Sequence, residues 1–166
     1  MRLTGSWAVQ SLIAITLALA ACTKPADGEA RTAAAVAPDR HPESGLPVIP
    51  LTITRGGARH VFRVEVARSG PEQEKGLMFR TGMGADEGMI FPMEPPREAA
   101  FWMKNTVIPL DIIFIGSDRR ILNIAADAVP YSEKPLPSAG RVGGVLELNA
   151  GRAAALGIRP GDRVDW

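Results

Sequence analysis

The chain has 166 residues, 46% hydrophobic and 22% charged, which leaves room for one domain once its first segments are set aside and excludes disorder throughout. Its 19 basic and 18 acidic side chains leave a net charge of +1, without the surplus of Lys and Arg that nucleic-acid backbones demand, so no nucleic-acid partner is expected. The excess of Arg over Lys and the Ala-rich tracts read as genome composition, not function.

Residues 1–22 have the three parts of an export signal: a basic start at Arg2, an apolar stretch from Trp7 to Ala20, and small residues before a processing site. Gln10, Ser11 and Thr16 interrupt the stretch, and it falls short of the ~20 apolar residues a spanning helix needs. The single cysteine, Cys22, directly follows Leu19, Ala20 and Ala21. That run resembles the lipobox of bacterial lipoproteins, which implies cleavage before Cys22, a lipid on its thiol and a membrane as partner. An ordinary cleaved signal with an incidental cysteine is the alternative. Thr23 stands where an Asp would imply inner-membrane retention, so the expected location is periplasmic, anchored to the outer membrane in preference to the inner. Once Cys22 is acylated no thiol remains for disulfides or catalysis.

Residues 23–47 hold four prolines, many alanines and small polar residues without apolar periodicity, and read as a flexible tether. Residues 48–166 form a single domain large enough to bury its own core. Within it, Val48 to Thr54 and Val61 to Arg68 are expected as a hairpin about Arg55, Gly56 and Gly57. Ser69 with Glu72 makes a capping box with Pro71 in the first turn, so a short helix should run from Pro71 to Met78. Phe79 to Pro96 is Gly- and Pro-rich and is expected to wrap the core irregularly, with a short strand at Gly88 to Phe91.

Strands are expected at Ala99 to Lys104 and at Leu110 to Ile115, the latter almost continuously apolar and therefore central. Gly116 to Arg119 turns into a strand from Arg120 to Ala128. Val145 to Leu148 is a further strand, Gly151 to Leu156 a short helix closed by Gly157, and Pro160 with Gly161 a turn. The expected class is α+β: a strand-dominated small domain, a curled sheet or partial β-barrel with two short helices.

Three runs, GLMFR from Gly76, ADEGMIF from Ala85 and FWMKNTVIPLDIIFI from Phe101, followed by VLELNAG from Val145 and GDRV from Gly161, resemble family 192 among domains of unknown function, also called uncharacterised protein family 0127. The similarity spans residues 60–165 in order. It implies a compact β-rich domain, often exported or lipid-anchored, and names no reaction or substrate.

Asp111 is the most informative polar residue, because an unpaired carboxylate inside the run Leu110 to Ile115 would cost several kcal/mol. It must either face a wet groove or find partners, with Lys104, Arg80, Arg97, Asn105 and Thr106 as candidates, or pin a loop structurally. Trp102, Met103, Lys104, Asn105 and Thr106 place an aromatic, a cation and two hydrogen-bonding groups at a strand end, where Trp102 could stack on a ligand or simply pack. Arg80 could grip an anion bidentately or tie its segment down through Glu87. Met78, Met83, Met89, Met93 and Met103 could together bind Cu(I) with His60, although adaptable core packing explains them equally.

One His and no free Cys in the domain offer no zinc ligand cluster, no serine lies in a nucleophile elbow, and no phosphate-cradling glycine loop is present. No cofactor or metal is expected. The domain should bind a small ligand or an envelope component in a groove edged by Arg80, Glu87, Trp102, Lys104, Asn105, Thr106 and Asp111. The alternatives are a hydrolase-like enzyme acting on envelope material, with Asp111 or Glu87 as general acid or base and Lys104 or Arg80 stabilising charge, and an accessory lipoprotein with a protein partner.

Overall fold

The computed structural model describes residues 39–166; the signal-like segment, Cys22 and residues 23–38 lie outside the described residues. Nine strands and two short helices follow in chain order: β1 (Val48–Arg55), β2 (Ala58–Val66), α1 (Gly70–Lys75), β3 (Glu87–Arg97), β4 (Ala100–Phe101), β5 (Leu110–Gly116), β6 (Ile121–Ala128), β7 (Leu136–Pro137), β8 (Val142–Asn149), α2 (Arg152–Ala155) and β9 (Arg163–Asp165). Seven strands form one sheet in the order β6-β5-β8-β3-β2-β1-β9, and β4 pairs with β7 apart from it.

The β1–β2 hairpin turns at Gly56 and Gly57, both at positive φ, where a side chain would be strained. α1 begins with the expected capping box: Ser69 accepts from the Glu72 amide, and the Glu72 carboxylate accepts from the Ser69 amide at 2.7 Å. The helix carries the crossover from β2 to β3, the one parallel pair in an otherwise antiparallel sheet.

The sheet curls until its edges touch at one end. The Ile121 and Val164 amides donate to the Asp162 and Arg119 carbonyls at 3.0 and 2.8 Å, and Arg120 bridges Arg163. Elsewhere the edges stay apart, so the result is an open, curled sheet and not a closed barrel. All seven strands contribute to the core inside the curl, among them Leu51, Phe62, Ile90, Ile113, Ile121, Leu146 and Val164. A second core lies on the outer face of β3, β5 and β8, where Met89, Phe91, Met93, Ile112, Phe114 and Val145 cluster with Leu77 and Met103.

The α+β, strand-dominated class holds, and four local expectations are corrected. In the Gly- and Pro-rich stretch the short strand expected at Gly88 to Phe91 is present but extends over Glu87–Arg97 as β3, eleven residues long and central in the sheet, paired with β8 on one side and β2 on the other. The strand expected over Ala99 to Lys104 shrinks to Ala100–Phe101, and β7 and β9 arise where the sequence gives no strand signal. Ordered structure also begins before Val48. Arg40 bridges Pro47, the His41 amide donates to Leu46, and Ser44 bonds Glu65, so the last part of the expected tether, 39–47, packs against β2.

Candidate functional site

Side chains alternate across β8, so Leu146 and Leu148 enter the inner core while Val145 and Glu147 point to the outer face. Glu147 is 5% exposed, and its register partners on the flanking strands are Met89 and Ile112, both fully buried. No ion pair reaches it among the described residues. Burial alone pushes its carboxyl up to about 8, so it is mostly neutral at pH 7. Gly88 lies beside it on β3, where a Cβ would stand 2.5 Å from the Glu147 carbonyl oxygen; only glycine lets the two strands approach this closely.

Glu147 lines the floor of a cleft of about 850 Å³. One wall is the end of α1 and the turn after it, with Glu74, Lys75, Leu77 and Met78. The other is the segment from Arg97 to Thr106, which contributes Phe101, Trp102, Lys104 and Asn105. Phe91 completes the apolar lining and packs edge to face on Phe101, with ring centroids 5.1 Å apart. Lys104 holds its ammonium 5.4 Å from the centroid of the Trp102 ring, and Trp102 is half exposed.

Two backbone features hold the rim together. Phe79 and Asn105 both adopt positive φ, unusual for residues other than glycine, and the Phe79 amide donates to the Asn105 carbonyl at 2.9 Å. The Asn105 side chain also reaches the Met78 sulfur at 3.8 Å, and Thr106 is buried with its hydroxyl on the Lys104 carbonyl. The α1 side and the 101–106 side are thereby stitched to each other at the cleft mouth.

Of the residues the sequence placed at a groove, Trp102, Lys104, Asn105 and Thr106 come together here, and Arg80, Glu87 and Asp111 do not line the cleft. Asp111 is fully buried; its Oδ1 accepts from the Asp127 and Gly151 amides at 3.1 Å and its Oδ2 from Ala153 at 2.8 Å. It fastens the start of α2 to the sheet. Arg80 grips Glu65 through two nitrogens at 2.9 and 3.1 Å and reaches Glu43 at 3.0 Å. Its partner is therefore Glu65 and not the anticipated Glu87, whose carboxylate accepts from the Gly84 amide at 2.8 Å. Both expected general acids are thus held by the protein's own backbone.

The residue missed was Glu147, and its signal was available: a carboxyl inside the apolar run Val145 to Leu148 is the same pattern that drew attention to Asp111. Met89, Met93 and Met103 are buried in the outer core as packing, and Met78 and Met93 line the cleft.

The profile of the DUF192 family, described as an uncharacterized ACR, matches residues 51–166. Among curated proteins none matches. Two solved structures are similar. One, of a protein of unknown function from Novosphingobium aromaticivorans, is 63% identical over 80% of this chain and 94% of its own, with a TM-score of 0.77. The other, from Sinorhizobium meliloti and proposed to be a transcription regulator, is 42% identical over 72% of this chain and 94% of its own, with a TM-score of 0.70.

Proposed function

The chain belongs to the DUF192 family of uncharacterized proteins, and from that premise we propose that it is a binding protein of the bacterial envelope, held by a lipid on Cys22, that takes a small ligand into the cleft floored by Glu147. The observation that carries this reading is the cleft itself. About 850 Å³, lined by Leu77, Met78, Phe91, Met93 and Phe101 and by a comparable share of polar and charged side chains, falls within the size range of small-molecule sites. At its floor the Glu147 carboxyl has no protein partner among the described residues and opens to the cleft, which supports a ligand as its partner.

The anchor rests on the sequence: the export-type start and the small residues before Cys22. The regulator description of the Sinorhizobium relative is not carried over, because a net charge of +1 gives no electrostatic footprint for DNA.

The test is thermal unfolding of the full chain in maltoside detergent against a panel of small metabolites and cell-wall fragments. A ligand at 100 times its dissociation constant adds about 2.7 kcal/mol, several degrees in a domain of this size. The reading requires at least one compound that stabilises the chain and loses its effect in Trp102→Ala. A panel in which every stabilising compound acts equally on Trp102→Ala and Glu147→Gln places ligands elsewhere and refutes it.

A further inference from the structure

Two carboxyls stand in one cross-strand row on the outer face of the sheet: Glu65 on β2, then Met89 on β3, Glu147 on β8 and Ile112 on β5. Both are almost fully buried. The fold answers Glu65 with the Arg80 guanidinium, the Ser44 hydroxyl and His41. It answers Glu147 with nothing, two strands away, and opens it to the cleft instead. A Gln or Met would fill the same position without the penalty that attaches to a buried charge. What a carboxyl offers beyond either is a negative charge that forms when a cation arrives beside it.

The walls suit the same visitor. Phe91, Phe101 and Trp102 present aromatic surface; the Lys104 ammonium over the Trp102 ring shows that this ring accepts a cation, and Lys104 must swing away for an ammonium ligand to use the same face. Leu77, Met78 and Met93 extend the apolar lining. Building on the reading of the cleft as a ligand site, we propose that the ligand is an organic ammonium compound with an apolar body, its nitrogen seated against Glu147 and its carbon skeleton against Phe91, Phe101 and Trp102. The Glu147 proton passes to solvent as the ammonium enters, so one buried charge is never formed without the other.

The charged groups around the cleft are Glu74 and Lys75 on α1, Arg97 at the end of β3, and Glu98 and Lys104 beyond it. On the sheet itself, Glu147 is flanked by the uncharged Met89 and Ile112. Three basic and two acidic rim groups leave one net positive charge for the ionised Glu147 to offset, and neither His41 nor His60 lines the cleft. The carboxyl at the floor, pushed up to about 8, therefore dominates the pH dependence of binding.

Calorimetry on the full chain in maltoside detergent tests this with benzyltrimethylammonium and benzylamine against neutral benzyl alcohol. Trp102 emission reports occupancy, with Trp102→Phe as the blank. Both cations are expected to bind, with affinity rising about tenfold per pH unit from pH 5 until the carboxyl has ionised. At pH 7, two buffers of different ionisation enthalpy should report close to one proton released per cation bound. Glu147→Gln should abolish cation binding and proton release while remaining folded by circular dichroism. Benzyl alcohol binding as well as the cations, or cation affinity independent of pH, overturns the ammonium assignment and leaves the cleft a ligand site. No probe of either kind altering Trp102 emission removes both.

Discussion

Replacing Glu147 by glutamine should make the protein more stable, and by an amount that depends on pH in a defined way. In the unfolded chain the carboxyl titrates near its ordinary 4.5; in the folded protein burial holds its proton until about 8. Below pH 4.5 both states are protonated and the group does not shift the balance. Between 4.5 and about 8 the unfolded chain gives up the proton while the folded one keeps it, so stability falls as pH rises, by about 1.4 kcal/mol per unit. Above 8 the loss is complete, at roughly 5 kcal/mol. The amide introduced by Glu147→Gln cannot titrate. At pH 7 the variant should therefore gain roughly 3 kcal/mol over its own offset at pH 4, on the order of 10 °C in midpoint for a domain this size. The assay is urea unfolding of the full chain and of Glu147→Gln at intervals from pH 4 to 9, read as the difference between the two curves. That difference cancels other titrations, including that of Glu72, whose carboxylate is held below its usual range by the Ser69 and Arg68 amides. Two curves that stay parallel from pH 4.5 to 8 would falsify the claim that Glu147 is buried without a partner.

Asp111→Asn keeps one oxygen for the Asp127 and Gly151 amides but turns an NH2 toward Ala153, so unfolding should lose about 2–3 kcal/mol while cleft probes still bind the folded variant. Arg80→Met leaves buried Glu65 without its guanidinium and should cost about 3–5 kcal/mol by urea unfolding; adding Glu65→Leu should recover most of it, since the penalty lies in the orphaned charge. Gly88→Ala would press a methyl against the β8 backbone, and should fall by about 1–3 kcal/mol in the same assay. Cys22→Ser should leave the protein unprocessed or released from membranes on cell fractionation; a normally processed, membrane-bound variant rules out the lipid anchor.

The sequence made visible those elements whose signals are local. The capping box at Ser69 and Glu72, the glycine turn at Gly56 and Gly57 and the apolar run from Leu110 act over a few residues, and α1, the first hairpin and β5 lie where those signals put them. Of β3, the part expected at Gly88 to Phe91 was legible; its extension to Arg97 was hidden because Pro92, Pro95 and Pro96 argue locally against a strand and the pairing with β8 comes from residues distant in sequence. The 39–47 segment was hidden in the same way, since what orders it is Glu65 and Arg80, both remote from it in the chain.

The candidate site divides along the same line. Trp102, Lys104, Asn105 and Thr106 were found together because they are consecutive, and one loop carries them to the cleft. Asp111, Glu65 and Glu147 share one sequence pattern, a carboxyl in an apolar strand, and pattern alone cannot tell them apart. What separates them is the count of partners: three backbone amides for Asp111, a guanidinium for Glu65, none for Glu147. A buried acid that the fold has partnered is structure; one without a protein partner, open to a cavity, is where function should be sought. The informative feature of this chain is therefore not that it buries carboxyls, which it does repeatedly, but that among the described residues Glu147 receives neither a counter-charge nor a hydrogen-bond donor.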